Sequence, residues 1–305
     1  MPAMKIGALL PLCEADGPDG SRWPAIRDLA VTAEKAGLDS LWAYDHLLFR
    51  MPGDEEGGPH DALAILAAVA AVTSRVELGT IVLGTGFRAP GITAKMAATL
   101  DEVSDGRLVL GLGSGWHEPE YAAFGYPFDH RVGRFEEFLA VALPLLRGER
   151  VTFRGTWHQA EDAVLLPRPA RGTRLPGRIP VLIAAKGERM LRLAARHADA
   201  WNTAWFGMPA DRFHQRRADL VAACEAEGRD PAAIEVTVGL TIDSEASIGG
   251  RSRADNALPP DVDEVARALD AWRELGVGHV QVDLRPATAS LVELLAAAAT
   301  KHRGG

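Results

Sequence analysis

Apolar, strand-forming stretches recur at a nearly constant interval along this chain, and a helical pattern follows each one. The first four begin at residues 4, 40, 76 and 107, steps of 36, 36 and 31. Alternation at that spacing implies parallel strands, because a parallel neighbour can be reached only through a long crossover. In order, the expected strands are Met4–Leu10, Ser40–Tyr44, Val76–Val82, Arg107–Leu112, Val181–Ala184, Ala200–Asn202, Ile234–Thr241 and His279–Leu284. Eight such units in about 300 residues is the size of a TIM barrel. The expected fold class is therefore α/β, a (β/α)8 TIM barrel with right-handed crossovers. An open doubly wound sheet is the alternative. It would have fewer strands and a nucleotide fingerprint after the first, where this chain has Pro11-Leu12-Cys13-Glu14.

The intervening segments read as helices. Trp23, Ile26, Leu29, Ala30 and Ala33 share one face of a helix over Trp23–Ala36, which Gly37 ends. Ala62–Val72 reads as a buried helix. Pro90 opens a helix with Ile92, Met96, Leu100 and Val103 on one side, and Gly106 ends it. Phe135, Phe138, Leu139 and Ala142 define a helix from 131 to 146, which Pro144 is expected to kink or end. Further helices are expected at 188–197, 210–227, 261–275 and 288–301. After the fourth helix, residues 150–178 break the rhythm. Val151-Thr152-Phe153, Arg154-Gly155 and Trp157 resemble a small hairpin, and Pro167–Pro180 reads as a loop. The alternation then resumes, so 1–305 is expected to be one barrel domain carrying an insertion. Residues 243–260 follow the seventh strand and read either as a lid over the barrel mouth or as a solvated loop.

Composition narrows the partners. The formal net charge of −8 argues against nucleic acid, which needs a clustered basic face. The longest apolar stretch, Ala62–Val72, is too short for a bilayer, which needs about 20 residues. Cys13 and Cys224 have no metal-type spacing, so a reduced, cytoplasmic setting is the simplest reading. No HxxxH or GxSxG pattern is present, and His117, His130, His158 and His197 form no constellation.

Chemistry-bearing residues cluster where strands end. Trp42-Ala43-Tyr44-Asp45-His46 closes the second strand. A histidine there is placed for function, since such ends form the active face of a barrel, and imidazoles exchange protons near neutral pH. A structural histidine, and a turn or cap role for Asp45, are the plain alternatives. Gly111-Leu112-Gly113-Ser114-Gly115-Trp116 lacks the last glycine of the dinucleotide fingerprint. Its small residues suit either close approach of a flat ring or a tight turn. Ala184-Ala185-Lys186-Gly187-Glu188 leads into a helix whose N–H groups suit a phosphate, with Lys186 or Arg189 assisting; an ordinary loop is the alternative. Trp201, Asn202, Thr203 and Trp205 either wall a pocket or pack the core.

Taken together, LGTIVL at 78–83, RAPGITAKMAATLDEVSDGRLVLGLGSGW at 88–116, AFGYPFDHRVGRFEE at 123–137 and LRLAARHADAW at 191–201 resemble the luciferase-like monooxygenase superfamily. The style is closest to its deazaflavin-dependent class. That resemblance implies a TIM barrel using the deazaflavin coenzyme F-420 or, alternatively, FMN. It implies that His46, beside Asp45, faces the cofactor ring as the catalytic residue. It implies that Thr80, Ile81 and Val82 form a bulge behind the ring, with a cis Ile81–Val82 peptide. Gly113 and Gly115 match glycines beside the cofactor, Ala185, Lys186 and Gly187 match the phosphate turn, and Asn202 and Thr203 match polar residues near it. Many members have two glycines in the phosphate turn, and many have Asp-Gly-Trp where this chain has Asp199-Ala200-Trp201.

The leading expectation is hydride transfer between the deazaflavin coenzyme and a small organic substrate, with His46 handling the proton. An FMN-dependent monooxygenase would need a separate flavin reductase as partner, since no such module fits in this chain. A non-catalytic flavin-binding protein is the third reading. A Rossmann dehydrogenase is the fourth. The resemblance admits a homodimer. The longer acidic tail of the deazaflavin would look for basic groups at the mouth, such as Arg88, Lys186 and Arg189.

Overall fold

The computed structural model describes residues 3–16, 21–50, 56–167, 177–244 and 256–304. From the N-terminus, β1 (Lys5–Leu9), α1 (Trp23–Lys35), β2 (Ser40–Ala43) and α2 (Ala62–Ala70) are followed by β3 (Glu77–Thr80) and β4 (Leu83–Gly84). Next come α3 (Pro90–Val103), β5 (Leu108–Gly113), α4 (Glu118–Phe124) and α5 (Arg131–Leu146). A hairpin of β6 (Val151–Arg154) and β7 (Gln159–Ala163) follows. The remainder is β8 (Val181–Ala184), α6 (Glu188–His197), β9 (Ala200–Phe206), α7 (Asp211–Ala226), β10 (Glu235–Asp243), α8 (Val262–Glu274), β11 (His279–Arg285) and α9 (Ala289–Gly304).

The sheet closes on itself. Around the ring run β1, β2, β3 continued by β4, β5, β8, β9, β10 and β11, which pairs again with β1. Every pairing in the ring is parallel. Counting β3 and β4 as one strand gives the eight of a (β/α)8 barrel. The antiparallel β6–β7 hairpin is the insertion after the fourth barrel helix. Residues 168–176 of the expected loop, and 245–255 of the segment read as a lid, lie outside the described residues.

Two strands differ from the sequence reading. The third strand is interrupted after Thr80, and the Ile81–Val82 peptide is cis, as the family resemblance implied. Helix α5 keeps the expected span of 131–146 and runs two residues past Pro144: a proline in the last turn removes one bond there and leaves the preceding turns intact. Strand β9 continues beyond Asn202 to Phe206 because β10 goes on pairing with it, Val238 with Thr203 and Leu240 with Phe206.

Alternation sorts the strand residues. Outward positions such as Ile6, Leu41, Leu110, Ile183, Val238 and Val280 join the main core under the helices. Inward positions Leu9, Trp42, Ile81, Val109, Leu182 and Ala200 form a smaller apolar cluster in the lumen. Trp42 fills much of that space. Its indole lies where a side chain at Gly79 would go, a Cβ there falling 2.2 Å from Cζ3. The indole N–H donates to Ser40 Oγ at 2.7 Å, and that oxygen shares a 2.7 Å bond with His279 Nε2. At the opposite end from the site, Arg107 ties α2, α3 and β3 together. Its guanidinium donates to the carbonyls of Ala70, Thr73, Val76 and Ser104 and to Thr73 Oγ1.

Because Trp42 is fully buried with its N–H satisfied, Trp42→Ala should cost about 3–5 kcal/mol, read as a lower denaturant midpoint at unchanged m value.

Candidate functional site

The C-terminal ends of the strands bring most of the expected residues to one face. His46, just past β2, is held by a residue the sequence reading missed. Its Nδ1 lies 2.9 Å from Glu120 Oε1. Glu120 Oε2 accepts the backbone N–H of Leu47 at 2.8 Å. Glu120 is 1% exposed, on α4. A carboxylate only accepts, so Nδ1 carries the proton and Nε2 is the free nitrogen. Phe49, at 4.3 Å between centroids, and Trp116, at 5.6 Å, pack on the imidazole. His117, which looks isolated in sequence, stands 6.3 Å from it. Its Nε2 accepts the Arg50 N–H at 3.0 Å, and burial pushes this imidazole below its ordinary range.

Asp45 does not face open space. Its carboxylate accepts the Gly84 N–H at 2.8 Å and two bonds from Arg88, at 2.6 and 2.9 Å. Arg88 also reaches Asp61, the N-cap of α2, at 2.6 Å. This clamp joins the loops after β2 and β4, so Arg88 is not the free cation at the mouth that the sequence suggested. Arg189 is likewise paired, with Glu136 at 2.6 Å.

Around the interrupted strand, Thr80 Oγ1 donates to Gly111 O at 2.7 Å and accepts Gly111 N–H at 2.9 Å. Ile81 joins the lumen cluster, and Val82 packs against it. Gly113 leaves room for Val82, whose Cγ2 would stand 2.5 Å from a Cβ there. Gly115 adopts φ +78°, and a Cβ would meet the Tyr121 hydroxyl at 1.9 Å. Burial pushes that hydroxyl up to about 12.

On the other side, the Ala185 carbonyl accepts the Trp201 indole N–H at 2.9 Å. Gly187 is the N-cap of α6, with no side chain capping the helix and nothing within 4 Å of where its Cβ would be. The start of the helix is thus open at Gly187, beside Lys186. Burial, then the charges of Arg216 and Arg212, push the Lys186 amine below the usual lysine range. Arg216 donates to Thr203 Oγ1 at 2.8 Å and to Ala204 O at 2.9 Å; Arg212 donates to Trp205 O. Among the described residues none of these three cations pairs with a carboxylate. Thr203 is thus tied to Arg216. Asn202 points inward, donating to Thr237 Oγ1 at 2.9 Å and Gln281 Oε1 at 3.1 Å.

The β11–β1 side of the mouth is acidic. The Tyr44 hydroxyl donates to Asp16, whose Oδ2 also accepts the N–H groups of Leu12 and Cys13 at 2.9 Å. Burial raises the Asp16 carboxyl, and Asp283 adds to the rise. Arg285 is bound to Asp283 at 2.7 Å. No cluster of His, Cys, Asp or Glu suited to a metal occurs among the described residues, and no described helix is long and apolar enough to cross a membrane.

Glu120, Arg212 and Arg216 escaped the sequence reading for one reason. Each meets its partner only in space, Glu120 at 74 residues from His46. A local signal for α4 did exist, in Pro119, the acidic first turn and Gly125 as its left-handed stop.

The model of the luciferase-like monooxygenase family matches residues 4–247. The F420-dependent glucose-6-phosphate dehydrogenase of Beutenbergia cavernae is 42% identical over 185 residues, 58% of this chain and 52% of that protein. The chain thus spans about half the length of the dehydrogenases of this kind that it matches. The phthiodiolone/phenolphthiodiolone dimycocerosates ketoreductase of Mycobacterium bovis is 33% identical over 279 residues, 83% of this chain and 70% of the ketoreductase. An F420-dependent secondary alcohol dehydrogenase solved with an F420–acetone adduct superposes with a TM-score of 0.77 over 97% of this chain and 99% of its own. At 20% identity, that last likeness is one of fold.

Removing the Glu120 carboxylate frees the imidazole and leaves the Leu47 N–H without its acceptor. Glu120→Ala should cost about 1–3 kcal/mol in stability, and nitrogen-15 spectra of His46 should lose the single Nδ1–H tautomer. A retained tautomer would show that Glu120 does not set it.

Proposed function

The chain belongs to the luciferase-like monooxygenase family, and from that premise we propose that it is an oxidoreductase that uses the deazaflavin coenzyme on a small alcohol or carbonyl compound. The observation that carries the choice of coenzyme is the trio Lys186, Arg212 and Arg216, unpaired with carboxylates among the described residues and beside the open start of α6. A single phosphate needs less positive charge than this. A phosphate followed by an acidic tail matches it. The names of the relatives support the same coenzyme.

In this reading Gly187 and the first N–H groups of α6 hold the phosphate, as helix N-termini do, with Ala185 shaping the turn. Lys186, Arg212 and Arg216 receive the tail. Ile81 and Val82 give a flat ring an apolar bed, which Gly113 and Gly115 shape by making room for Val82 and Tyr121. Asp45 and Thr80 hold that bed in shape, through Arg88 and Gly111, and Asn202 and Thr203 support the far edge. Bound there, the coenzyme supplies hydride chemistry at its ring carbon. His46 Nε2 takes a proton from an alcohol oxygen or returns it to a carbonyl oxygen, while Glu120 keeps Nδ1 protonated.

Titrations side by side should give tighter binding for the deazaflavin coenzyme than for FMN. Equal or tighter FMN binding, with oxygen-dependent turnover of reduced FMN, would move the protein to the monooxygenase branch, with a separate flavin reductase.

The phosphate turn has its own test. Space at Gly187 is open, so Gly187→Asp should fold normally, yet an anion against the phosphate should weaken the coenzyme about tenfold or more. Unchanged affinity in that variant would remove the turn from the site.

A third outcome follows from Lys186. Its amine is depressed, and a bound anion favours the charged form. Affinity should be full while Lys186 is protonated and fall as pH rises through its lowered pKa; Lys186→Gln should flatten that slope.

A further inference from the structure

We propose that the indole of Trp205 is the seat for the substrate's carbon skeleton, selecting an uncharged alcohol or ketone with an apolar ring over a phosphorylated sugar. The inference rests on the deazaflavin reading above and names the substrate class of that site.

The placement of Trp205 is built into the sheet. Between the pairs Val238–Thr203 and Leu240–Phe206, β9 carries one residue more than β10, so a bulge falls at Ala204–Trp205. Bulges re-aim side chains. The carbonyls at the bulge are held by guanidinium groups, Ala204 O by Arg216 and Trp205 O by Arg212. The indole then lies over Gly239, where a Cβ would come within 2.2 Å of Cε3 and 2.4 Å of Cζ3. Gly239 is an inward position of β10. Its neighbours Val238 and Leu240 belong to the outer core, while Thr237 bonds Asn202 in the lumen. The indole therefore covers the lumen side of the strand. Trp42, Trp201 and Trp272 are fully buried, yet Trp205 is 37% exposed. A large aromatic fixed on a glycine at the active end of a barrel offers an open apolar wall.

Charge decides what that wall takes. Gly239 pairs with Gln281, and Asp283 stands at the next inward position of β11. Arg285, the cation described nearby, is already bonded to Asp283, and Asp16 lies beyond it across β1. A phosphate here would meet carboxylates and a guanidinium already engaged. Lys186, Arg212 and Arg216, which pair with no carboxylate among the described residues, lie on the coenzyme side, over β8 and β9.

The test uses holoenzyme with oxidised coenzyme, labelled with 5-fluorotryptophan and followed by fluorine NMR. The resonance missing from Trp205→Phe identifies Trp205 among the seven tryptophans. Cyclohexanone, which cannot react with the oxidised coenzyme, should shift that resonance saturably, and glucose 6-phosphate should leave it unmoved. Trp205→Ala should weaken cyclohexanone about tenfold, Trp205→Phe should restore most of the affinity, and both should bind coenzyme as the parent does. A resonance that ignores cyclohexanone, or that follows glucose 6-phosphate, overturns the seat while leaving the coenzyme assignment standing. Failure of the parent protein to bind the coenzyme overturns both. Should Trp205→Ala not fold, the labelled parent and Trp205→Phe decide the question alone.

Discussion

The barrel closes across a break, and one threonine side chain bridges it. Strand β3 pairs with β5 only at Leu78–Leu108 and Gly79–Val109, and pairing resumes three residues further along β5, at Leu83–Leu112, through β4. In the gap, Thr80 Oγ1 both donates to and accepts from Gly111, in place of the missing backbone ladder. Gly111 admits this approach because a Cβ there would fall 1.9 Å from the Thr80 carbonyl oxygen. With the ring closed in this way, Ile81 and Val82 can leave the regular strand path and face the mouth without opening the sheet. Such a device satisfies the backbone where regular pairing stops.

Once the ring is closed, the mouth divides by charge. One flank, over β8 and β9, gathers Lys186, Arg212 and Arg216; the other, over β11 and β1, gathers Asp283 and Asp16 with Arg285 held between carboxylates. His46 stands between them, its proton fixed by Glu120. Ligands of opposite electrostatic character can then occupy one concave face without competing, since each flank repels what the other attracts.

How much of this was legible in the sequence follows physical lines. Strand positions and helix spans were readable because they depend on local periodicity; β8 and α5 fall where the pattern placed them. The end of β9 was not, because its extension depends on what β10 does alongside. The glycines at 113, 115 and 187 could be recognised as places of close approach. What each faces, Val82, Tyr121 or open space, emerges only from folding. The engagement of Arg88 by Asp45 and Asp61 was invisible for the same reason, and it reversed the role that charge alone suggested. Helix α4 was short enough to pass for a loop, and with it went Glu120.

Arg107 has a consequence of another kind. Its five hydrogen bonds knit α2, α3 and β3 at the end of the barrel away from His46 and Trp205. That part of the scaffold is therefore secured at the end of the barrel opposite the C-terminal ends of its strands. Loops on the opposite rim can be exchanged, lengthened or recharged with little penalty to the scaffold. A lineage built this way can change what it recognises one loop at a time, and a laboratory that grafts new loops onto this rim starts with the same freedom.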